Sequence, residues 1–307
     1  MPSRMSFADS VMTTSSGLLL IDKPGALTSH DVVARVRKLF DERRVGHAGT
    51  LDPMATGLLL VAVGPSTRLL RFAQAQVKRY TGEVRLGVAT DSLDADGAVI
   101  AVAPVPDVDP TQINALAATM IGHQFQVPPM VSALKVGGRR LHSMAREGLE
   151  VERSPREIVI ERFSLSATET SDRWRFDVTC SVGTYVRVLL SDLSEKMGTV
   201  GHLTALRRIS SGAHRVDDAR TLEELASLDD VTTALTPAAH LVQGLEHAVL
   251  DARQVAKMRV GQRVTLEGVF AAEEIAAFDG AGALVGVLRR REELWKPEIV
   301  MAEAGDA

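Results

Sequence analysis

The stretch VGHAGTLDPMATGLLLVAVG, residues 45–64, decides the fold, because it joins a glycine-rich loop to a run of aliphatic residues. The run GLLLVAV, residues 57–63, is typical of a buried strand. In the loop, Pro53 pushes Asp52 toward an extended backbone, and glycines on both sides allow tight bends. The sequence therefore predicts one carboxylate presented from a stiff loop beside a strand.

On both sides of this loop, the predicted strands and helices do not alternate regularly as β-α-β units. The segment GLLLID near the N-terminus predicts a short buried strand, and HDVVARVRKLF, residues 30–40, has helical apolar spacing with Thr28 or Ser29 as its N-cap. The segments RYTGEVRLG, residues 79–87, and RWRFDVTCSV, residues 173–182, alternate as strands do. Adjacent strands favour an α+β class over a doubly wound one.

The remaining segments extend this pattern toward the C-terminus. Helices are expected at 66–74, at 109–122 and at 185–198, the last capped by Thr184. A Pro- and Gly-punctuated, cation-rich excursion at about 124–152 separates two of them. An acidic helical connector is expected from about 217 to 240, followed from about 248 by one short helix and several short strands.

Composition places the chain among globular proteins. It has 307 residues, of which 45% are hydrophobic, and no run approaches the roughly 20 apolar residues of a membrane span. The first 16 residues lack the apolar centre of a secretory signal. The single cysteine, Cys180, can form no internal disulfide and gives no zinc-type spacing. We therefore expect a cytoplasmic protein without metal and without a membrane partner.

Charge is distributed unevenly along the chain. Residues 1–215 carry 26 Lys and Arg against 22 Asp and Glu, whereas residues 216–307 carry 9 against 17. The cations of the first part form clusters, which lie before the opening loop, after it and in the excursion. Such clusters suit a polyanion, but on charge alone solvated helix faces are the favoured explanation.

The residues of the opening loop leave the role of Asp52 open. A turn aspartate that hydrogen-bonds its own backbone would explain them. A phosphate-binding P-loop is disfavoured because the Lys-Ser/Thr ending is absent, and a glycosidase-type pair needs a second carboxylate from elsewhere.

Three distant residues bear on the same question. Arg187 lies in the first turn of its predicted helix, where a cation opposes the helix dipole, so a carboxylate partner or tolerance at the surface must explain it. Tyr80 lies on the apolar side of its strand, as a core tyrosine does, and in a cleft its ring would be a stacking platform for a base. His47 beside two glycines is typical of a solvent-facing loop residue.

Assembled in order, six blocks of this sequence resemble the bacterial tRNA pseudouridine synthases of the TruB family. The resemblance covers nearly the whole chain from Gly17 and is specific because all six blocks keep the family's order and spacing. The blocks are GLLLIDKPGALTSHDVV, RRVGHAGTLDPMATGLLLVAVG, KRYTGEVRLGVATDSLDADG, VPPMVSALKVGGRRLHSMAREG, CSVGTYVRVLLSDL and TALRRISSG.

The resemblance implies cofactor-free conversion of the T-loop uridine of tRNA to pseudouridine. It implies that Asp52 is the nucleophile, that Tyr80 stacks on the target base and takes part in proton transfer, and that Arg187 pairs with Asp52. It leaves three routes for Asp52: attack on the sugar, addition to the base, or removal of a sugar proton to give a glycal.

The same resemblance assigns residues that hold the substrate and the loop. His47 would displace the target nucleotide or fill its space, and Tyr185 and Leu206 would line the base pocket. Lys23 and Pro24 match a motif that supports the structure.

The implied architecture is a pseudouridine-synthase fold with a mixed, mainly antiparallel central sheet flanked by helices, plus a small β-rich C-terminal domain resembling PUA modules. Its expected parts are a disordered tail at 1–16, a catalytic domain at 17–240 with an RNA-gripping thumb at about 124–152, and a PUA-like RNA-binding domain at 245–303. The implied partner is the T arm of tRNA, bound by a monomer without guide RNA. A noncatalytic tRNA-binding or tRNA-folding module is the main rival, and a sugar or nucleoside hydrolase is a second.

Overall fold

A computed structural model describes residues 15–132, 134–141, 144, 147–149 and 151–301. The disordered tail expected at 1–16 lies outside the described residues except for Ser15 and Ser16, and the Ser16 hydroxyl is 2.7 Å from that of Ser66. Within the described residues, every helix is too short or too polar to span a lipid bilayer.

A mixed sheet forms the centre of the molecule. Its main path in space is β1-β3-β12-β4-β11-β10-β7, with β2 paired to β3 and β13 paired to β12, which gives nine strands among the described residues. Only the β12–β3 pair is parallel among the pairs of this sheet. The strands are β1 Gly17–Lys23, β2 Val45–Ala48, β3 Thr56–Val63, β4 Lys78–Leu86, β7 Gly122–Gln126, β10 Arg156–Ala167, β11 Arg173–Cys180, β12 Gly201–Ser211 and β13 His214–Arg215.

Two short hairpins stand apart from this sheet. The first pairs β5 Val88–Thr90 with β6 Val99–Val102, and the second pairs β8 Lys135–Val136 with β9 Arg139–Arg140. The second hairpin lies inside the expected thumb segment. The first residues of that segment belong to β7 and pair with β10, so the chain leaves the main sheet only after Gln126.

Helices cover the sheet where the sequence pattern places them. They are α1 Ser29–Phe40, α2 Leu70–Gln74, α3 Pro110–Ala118, α4 Val186–Lys196, α5 Leu222–Ala226 and α6 Ala252–Arg259. Thr28 begins α1 with a reciprocal capping box to Asp31, and Asp109 does the same for α3. A 3₁₀ turn at Gly64–Leu69 leads directly into α2.

The core divides between the faces and ends of this sheet. One cluster joins the inner residues of β4, β10, β11 and β12 to α3 and α4. Another joins β1 and β3 to α1 and α5. The alternation predicted for β11 is confirmed, because Trp174, Phe176, Val178 and Cys180 are all buried.

A second sheet follows near the C-terminus, in the order β14-β15-β16-β17. Its strands are His247–Val249, Glu274–Phe278, Leu284–Arg291 and Leu294–Val300, with α6 packed against them. Ala276, Val287 and Ile299 share a hydrophobic cluster with Leu18 and Leu60 of the central sheet. The predicted α+β class, with a mixed central sheet and a separate C-terminal sheet, is confirmed.

Two local predictions were wrong. The acidic helical connector expected from 217 to 240 is broken into the short α5 and 3₁₀ turns at Val216–Asp218, Val231–Ala234 and Ala238–Val242. These pieces pack on the core through Leu222, Leu225 and Leu241, so tertiary packing overrides helix propensity there. The first part of the opening loop is also a strand, since β2 pairs with β3 from Val45 to Ala48.

Gly57 is where the opening stretch meets the sheet, and replacing it should destabilise the fold. Its φ is +95°, and a Cβ there would collide with the backbone oxygen of Arg208 on β12. We expect Gly57→Ala to lower the free energy of unfolding by at least about 1–3 kcal/mol, measured by denaturant titration. Gly280→Ala is the matched control, since a Cβ there meets nothing within 4 Å. Equal losses in both variants would contradict this account.

Candidate active site

The loop that carries Asp52 is held on both sides by backbone hydrogen bonds. The buried Ser29 hydroxyl accepts from the amide of Leu51 at 2.9 Å and donates to its carbonyl at 3.2 Å. On the other side, the Ala55 amide donates to the Asp52 carbonyl at 3.1 Å. Leu51 and Ala55 are themselves buried in the core. The carboxylate between them is therefore presented from a fixed backbone.

Lys23 ties the same loop to the end of β1. Its side chain is fully buried, and Nζ donates to the carbonyls of Pro24 at 2.8 Å, Leu27 at 2.7 Å and Pro53 at 3.3 Å. Burial lowers the pKa of Lys23 to about 8, although the nearby Asp52 carboxylate favours the charged form. Lys23 thus binds the backbone of the loop at Pro53, whereas Pro24 lies in an exposed segment.

The Asp52 carboxylate lies against the guanidinium of Arg187. Arg187 Nε is 2.9 Å from Asp52 Oδ2, and Arg187 Nη1 is 3.3 Å from Asp94 Oδ2. The remaining donors of Arg187 reach the carbonyls of Ser92 at 2.6 Å and Val131 at 2.9 Å. Because the Arg187 side chain is only 2% exposed, it is a buried cation that bridges two carboxylates.

Opposing influences act on the ionisation of Asp52. Burial raises the pKa of its carboxyl group above the ordinary value, the charge of Arg187 lowers it, and the second carboxylate, Asp94, raises it again. The raising influences prevail, and the charge of Arg187 is the largest influence that favours the ionised carboxylate. A carboxylate held by an arginine at a cavity can act chemically as a nucleophile or as a base.

The helix that carries Arg187 begins differently from the prediction. Thr184 is not its N-cap: Tyr185 is the N-cap, without a capping side-chain hydrogen bond, and Arg187 is the second helical residue. Gln126 of β7 binds Tyr185 instead, accepting from its amide at 2.8 Å and donating to its carbonyl at 3.1 Å. A side chain from a distant strand thus fixes the start of α4, which the local pattern could not reveal.

Above Asp52 the structure has a cavity of about 460 Å³, within the size range of small-ligand pockets. It brings together most of the residues that the sequence singled out, whereas Lys23 and Pro24 are not in its wall. Its polar and aromatic lining includes His47, Asp52, Lys78, Tyr80, Tyr185, Arg187 and Arg208, and Leu206 adds an aliphatic side chain.

Tyr80 and Leu206 come to the cavity from neighbouring strands. Leu206 lies opposite Gly82 in the β4–β12 ladder, two positions from Tyr80 on the same face. Both side chains are 8% exposed, and burial raises the pKa of the Tyr80 hydroxyl. A flat apolar ring beside an aliphatic side chain is suited to stacking a planar base.

His47 lies in β2 at the cavity wall rather than in a solvent-facing loop, as its glycine neighbours had indicated. Its ring makes an edge-on contact with His30, with ring centroids 5.5 Å apart. Burial first, then electrostatic interactions with His30 and Arg208, lower its pKa to about 4.

This lowered pKa predicts a pH-dependent stability. Between pH 6.5 and about 4, the unfolded chain binds a proton at His47 that the folded chain excludes, so this contribution to stability is lost as pH falls. We expect the wild type to lose about 1–3 kcal/mol more unfolding free energy than His47→Gln between pH 7 and pH 4.5. Denaturant titrations at the two pH values measure the difference, and parallel losses would show that His47 titrates normally.

Sequence reasoning missed Asp94, Gln126 and Arg208. Asp94 lies in the acidic segment TDSLDADG, residues 90–97, and nothing local connects it with Arg187. Arg208 did have a signal, because it follows Leu206 by two residues on a strand and must share its face. Among the described residues, no group of three or more His, Cys, Asp or Glu side chains could hold a metal ion.

Known proteins with similar structures share this fold. A Cbf5–Nop10–Gar1 complex matches with a TM-score of 0.71 and 23% identity, covering 91% of this chain and 79% of the matched chain. An H/ACA RNP bound to a substrate RNA containing 2′-deoxyuridine matches with a TM-score of 0.74 and 20% identity, covering 95% and 87%. At these identities the likeness concerns the fold alone.

Sequence comparisons give the family. The model for the N-terminal domain of TruB family pseudouridylate synthases matches residues 37–186. The tRNA pseudouridine synthase B of Rhodococcus jostii is 42% identical over 283 residues, which cover 90% of this chain and 90% of the relative. That of Psychrobacter cryohalolentis is 41% identical over 258 residues, covering 82% and 72%. This chain therefore belongs to the TruB family of pseudouridylate synthases.

Proposed function

We propose that this protein isomerises uridine to pseudouridine in tRNA, with the T-loop uridine as its target and Asp52 as the nucleophile. The observation that carries the proposal is the Asp52–Arg187 ion pair at a cavity bordered by Tyr80 and Leu206. Relatives of similar length that are about 40% identical bear the name tRNA pseudouridine synthase B.

The geometry suits a reaction on a base taken out of its stack. The N-glycosidic bond must break, the uracil must turn, and its C5 must bond to the sugar, so the nucleotide has to leave the loop first. Flipping costs a few kcal/mol, and stacking on an aromatic ring returns about 1–3 kcal/mol. Tyr80 provides that ring, while Tyr185 and Leu206 close the pocket around the base.

Each residue of the proposed site then has a role. Asp52 acts at the junction of sugar and base, and Arg187 keeps it ionised and oriented. Tyr80 stacks on the base and takes part in proton transfer. His47, which stays neutral at physiological pH because burial lowers its pKa to about 4, occupies the space that the flipped nucleotide leaves.

The test is pseudouridine mapping on an unmodified tRNA transcript incubated with the purified protein alone. We expect one modified uridine, in the T loop, with no guide RNA added and with the RNA mass unchanged. Release of free uracil would instead indicate a hydrolase, and tight binding without modification would indicate a noncatalytic tRNA-folding module. We also propose that the active form is a monomer, which sedimentation of the protein–tRNA complex checks.

We propose that residues 245–303 form a PUA-like RNA-binding domain and that the 124–152 segment is the thumb that grips RNA. Three exposed cations of the C-terminal region support the first part, namely Arg263 between β14 and β15, Arg291 at the end of β16, and Lys296 in β17. Replacing all three by Gln should weaken tRNA affinity and lower the salt slope by about 1 for each lost phosphate contact, with unchanged turnover at saturation. An unchanged salt slope would show that these cations do not contact RNA.

A further inference from the structure

The cavity wall contains a buried arginine to which the proposed chemistry gives no role. Arg208 is 1% exposed, yet it lines the cavity. Its Nε donates to the Leu58 carbonyl at 2.6 Å, and its Nη2 donates to the Gly49 carbonyl at 3.0 Å. Among the residues that the structure describes, no acceptor meets Nη1 at ordinary hydrogen-bond distance and angle.

A buried cation of this kind is costly. Removing a charged side chain from water costs several kcal/mol unless a partner compensates it, and two backbone carbonyls offset this cost only in part. The carboxylate nearest the reaction, Asp52, is engaged by Arg187 instead. The unused donor of Arg208 therefore requires an acceptor inside the cavity.

Strand pairing places Tyr80 beside Arg208. The two residues are Cα partners in the antiparallel β4–β12 ladder, so their side chains project from the same face of the sheet. Side chains at such paired positions start with Cβ atoms only about 4.5–5.5 Å apart. The phenol and the guanidinium are thus close neighbours in a pocket where Tyr80 is 8% exposed.

We propose that Arg208 is a positioning residue for Tyr80: its Nη1 donates a hydrogen bond to the Tyr80 hydroxyl oxygen when the substrate closes the site. With its oxygen accepting from Arg208, the Tyr80 hydroxyl directs its own proton into the cavity, toward the flipped base. The inference rests on the proposed function, in which Tyr80 faces that base. Catalytic hydrogen bonds are often long in unliganded sites and shorten in the complex.

Electrostatics and burial support this role over direct contact with RNA. Burial raises the pKa of the Tyr80 hydroxyl, and Arg208 lowers it, first through its charge and then through a hydrogen-bonding interaction with the hydroxyl. A side chain that is 1% exposed cannot reach a phosphate at the mouth of the cavity. Arg207, the next residue, is a contrasting case, since it is 40% exposed and forms an ion pair with Asp22 at 2.7 Å.

A double-mutant cycle tests the inference, with single-turnover pseudouridine formation measured at saturating protein. We expect Arg208→Met to slow the reaction by about 30-fold or more and Arg208→Lys to restore part of the rate, with tRNA affinity within about threefold of wild type. In a Tyr80→Phe background, the same Arg208→Met change should alter the rate by less than about threefold. Additive losses would overturn the proposal and indicate that Arg208 contacts the substrate itself. Arg207→Met is the matched control and should leave the rate nearly unchanged.

A second measurement decides the matter if Arg208→Met unfolds or if Tyr80→Phe is too slow to assay. The chain has only two tyrosines, so carbon-13 labelling of the tyrosine Cζ gives two NMR signals, which Tyr185→Phe assigns. In folded tRNA-bound protein, Arg208→Lys should shift the Tyr80 signal and leave the Tyr185 signal in place, whereas Arg207→Lys should shift neither. An unmoved Tyr80 signal would refute the contact. Because this readout does not depend on turnover, a wild type without pseudouridine activity would count against the proposed function alone.

Discussion

Asp52→Asn is expected to abolish pseudouridine formation, slowing single turnover by at least about 10³-fold while tRNA affinity stays within about threefold. Each of the three routes open to this residue needs a carboxylate oxygen, whether it attacks the sugar, adds to the base or removes a sugar proton. An asparagine of the same shape keeps the loop and can still face Arg187, but it is neither a nucleophile nor a base.

The measurement is quantitative pseudouridine mapping over time on a T-arm stem-loop, together with a binding titration on the same RNA. Asp177→Asn is the control, because Asp177 is an ion-paired carboxylate on a strand of the same sheet, 2.5 Å from Arg79 and outside the cavity wall. It should leave turnover nearly unchanged. If Asp52→Asn kept a rate within tenfold of wild type, Asp52 would not be the nucleophile.

The parts of the fold that the sequence predicted are those set by local periodicity. In α1, Val32, Val36 and Phe40 recur at helical spacing and are buried, and Thr28 caps the helix through a motif four residues long. The alternation of β11 is equally local. By contrast, residues 217–240 have a helical composition, but packing against β1 and α1 breaks them into short turns. The amino-acid composition of residues 217–240 does not predict that packing.

The same distinction explains which parts of the candidate site were predicted. Asp52 was singled out because Pro53 and the flanking glycines signal a constrained backbone, and its pairing with Arg187 entered through family resemblance. Asp94 and Gln126 could not be found in this way. Each acts through a contact that joins segments far apart in the chain, Asp94 to Arg187 and Gln126 to Tyr185. Only the assembled sheet brings these side chains together.

The bridge that Arg187 forms between two carboxylates predicts opposite pH responses in two variants. In the proposed reaction Asp52 acts as an ionised carboxylate, so the rate of pseudouridine formation should fall as the pH drops through the pKa of Asp52. Arg187 lowers that pKa, and Asp94 raises it. Arg187→Gln should therefore raise the pKa of Asp52 further and slow turnover at pH 7 by at least about 100-fold, with partial recovery as the pH is raised toward 9.

Asp94→Asn removes the charge that raises the pKa of Asp52. The acid limb of the pH–rate profile of this variant should therefore move to lower pH, and its loss of rate at pH 7 should be smaller than that of Arg187→Gln. Single-turnover rates measured from pH 5.5 to 9 compare the two variants with the wild type, and unfolding titrations check that each is folded. Arg173→Gln, which breaks a partly buried ion pair with Glu83 outside the cavity wall, controls for general loss of charge. Should both variants shift the limb in the same direction, Arg187 and Asp94 would act by holding the loop in shape, and the electrostatic account of Asp52 would fail.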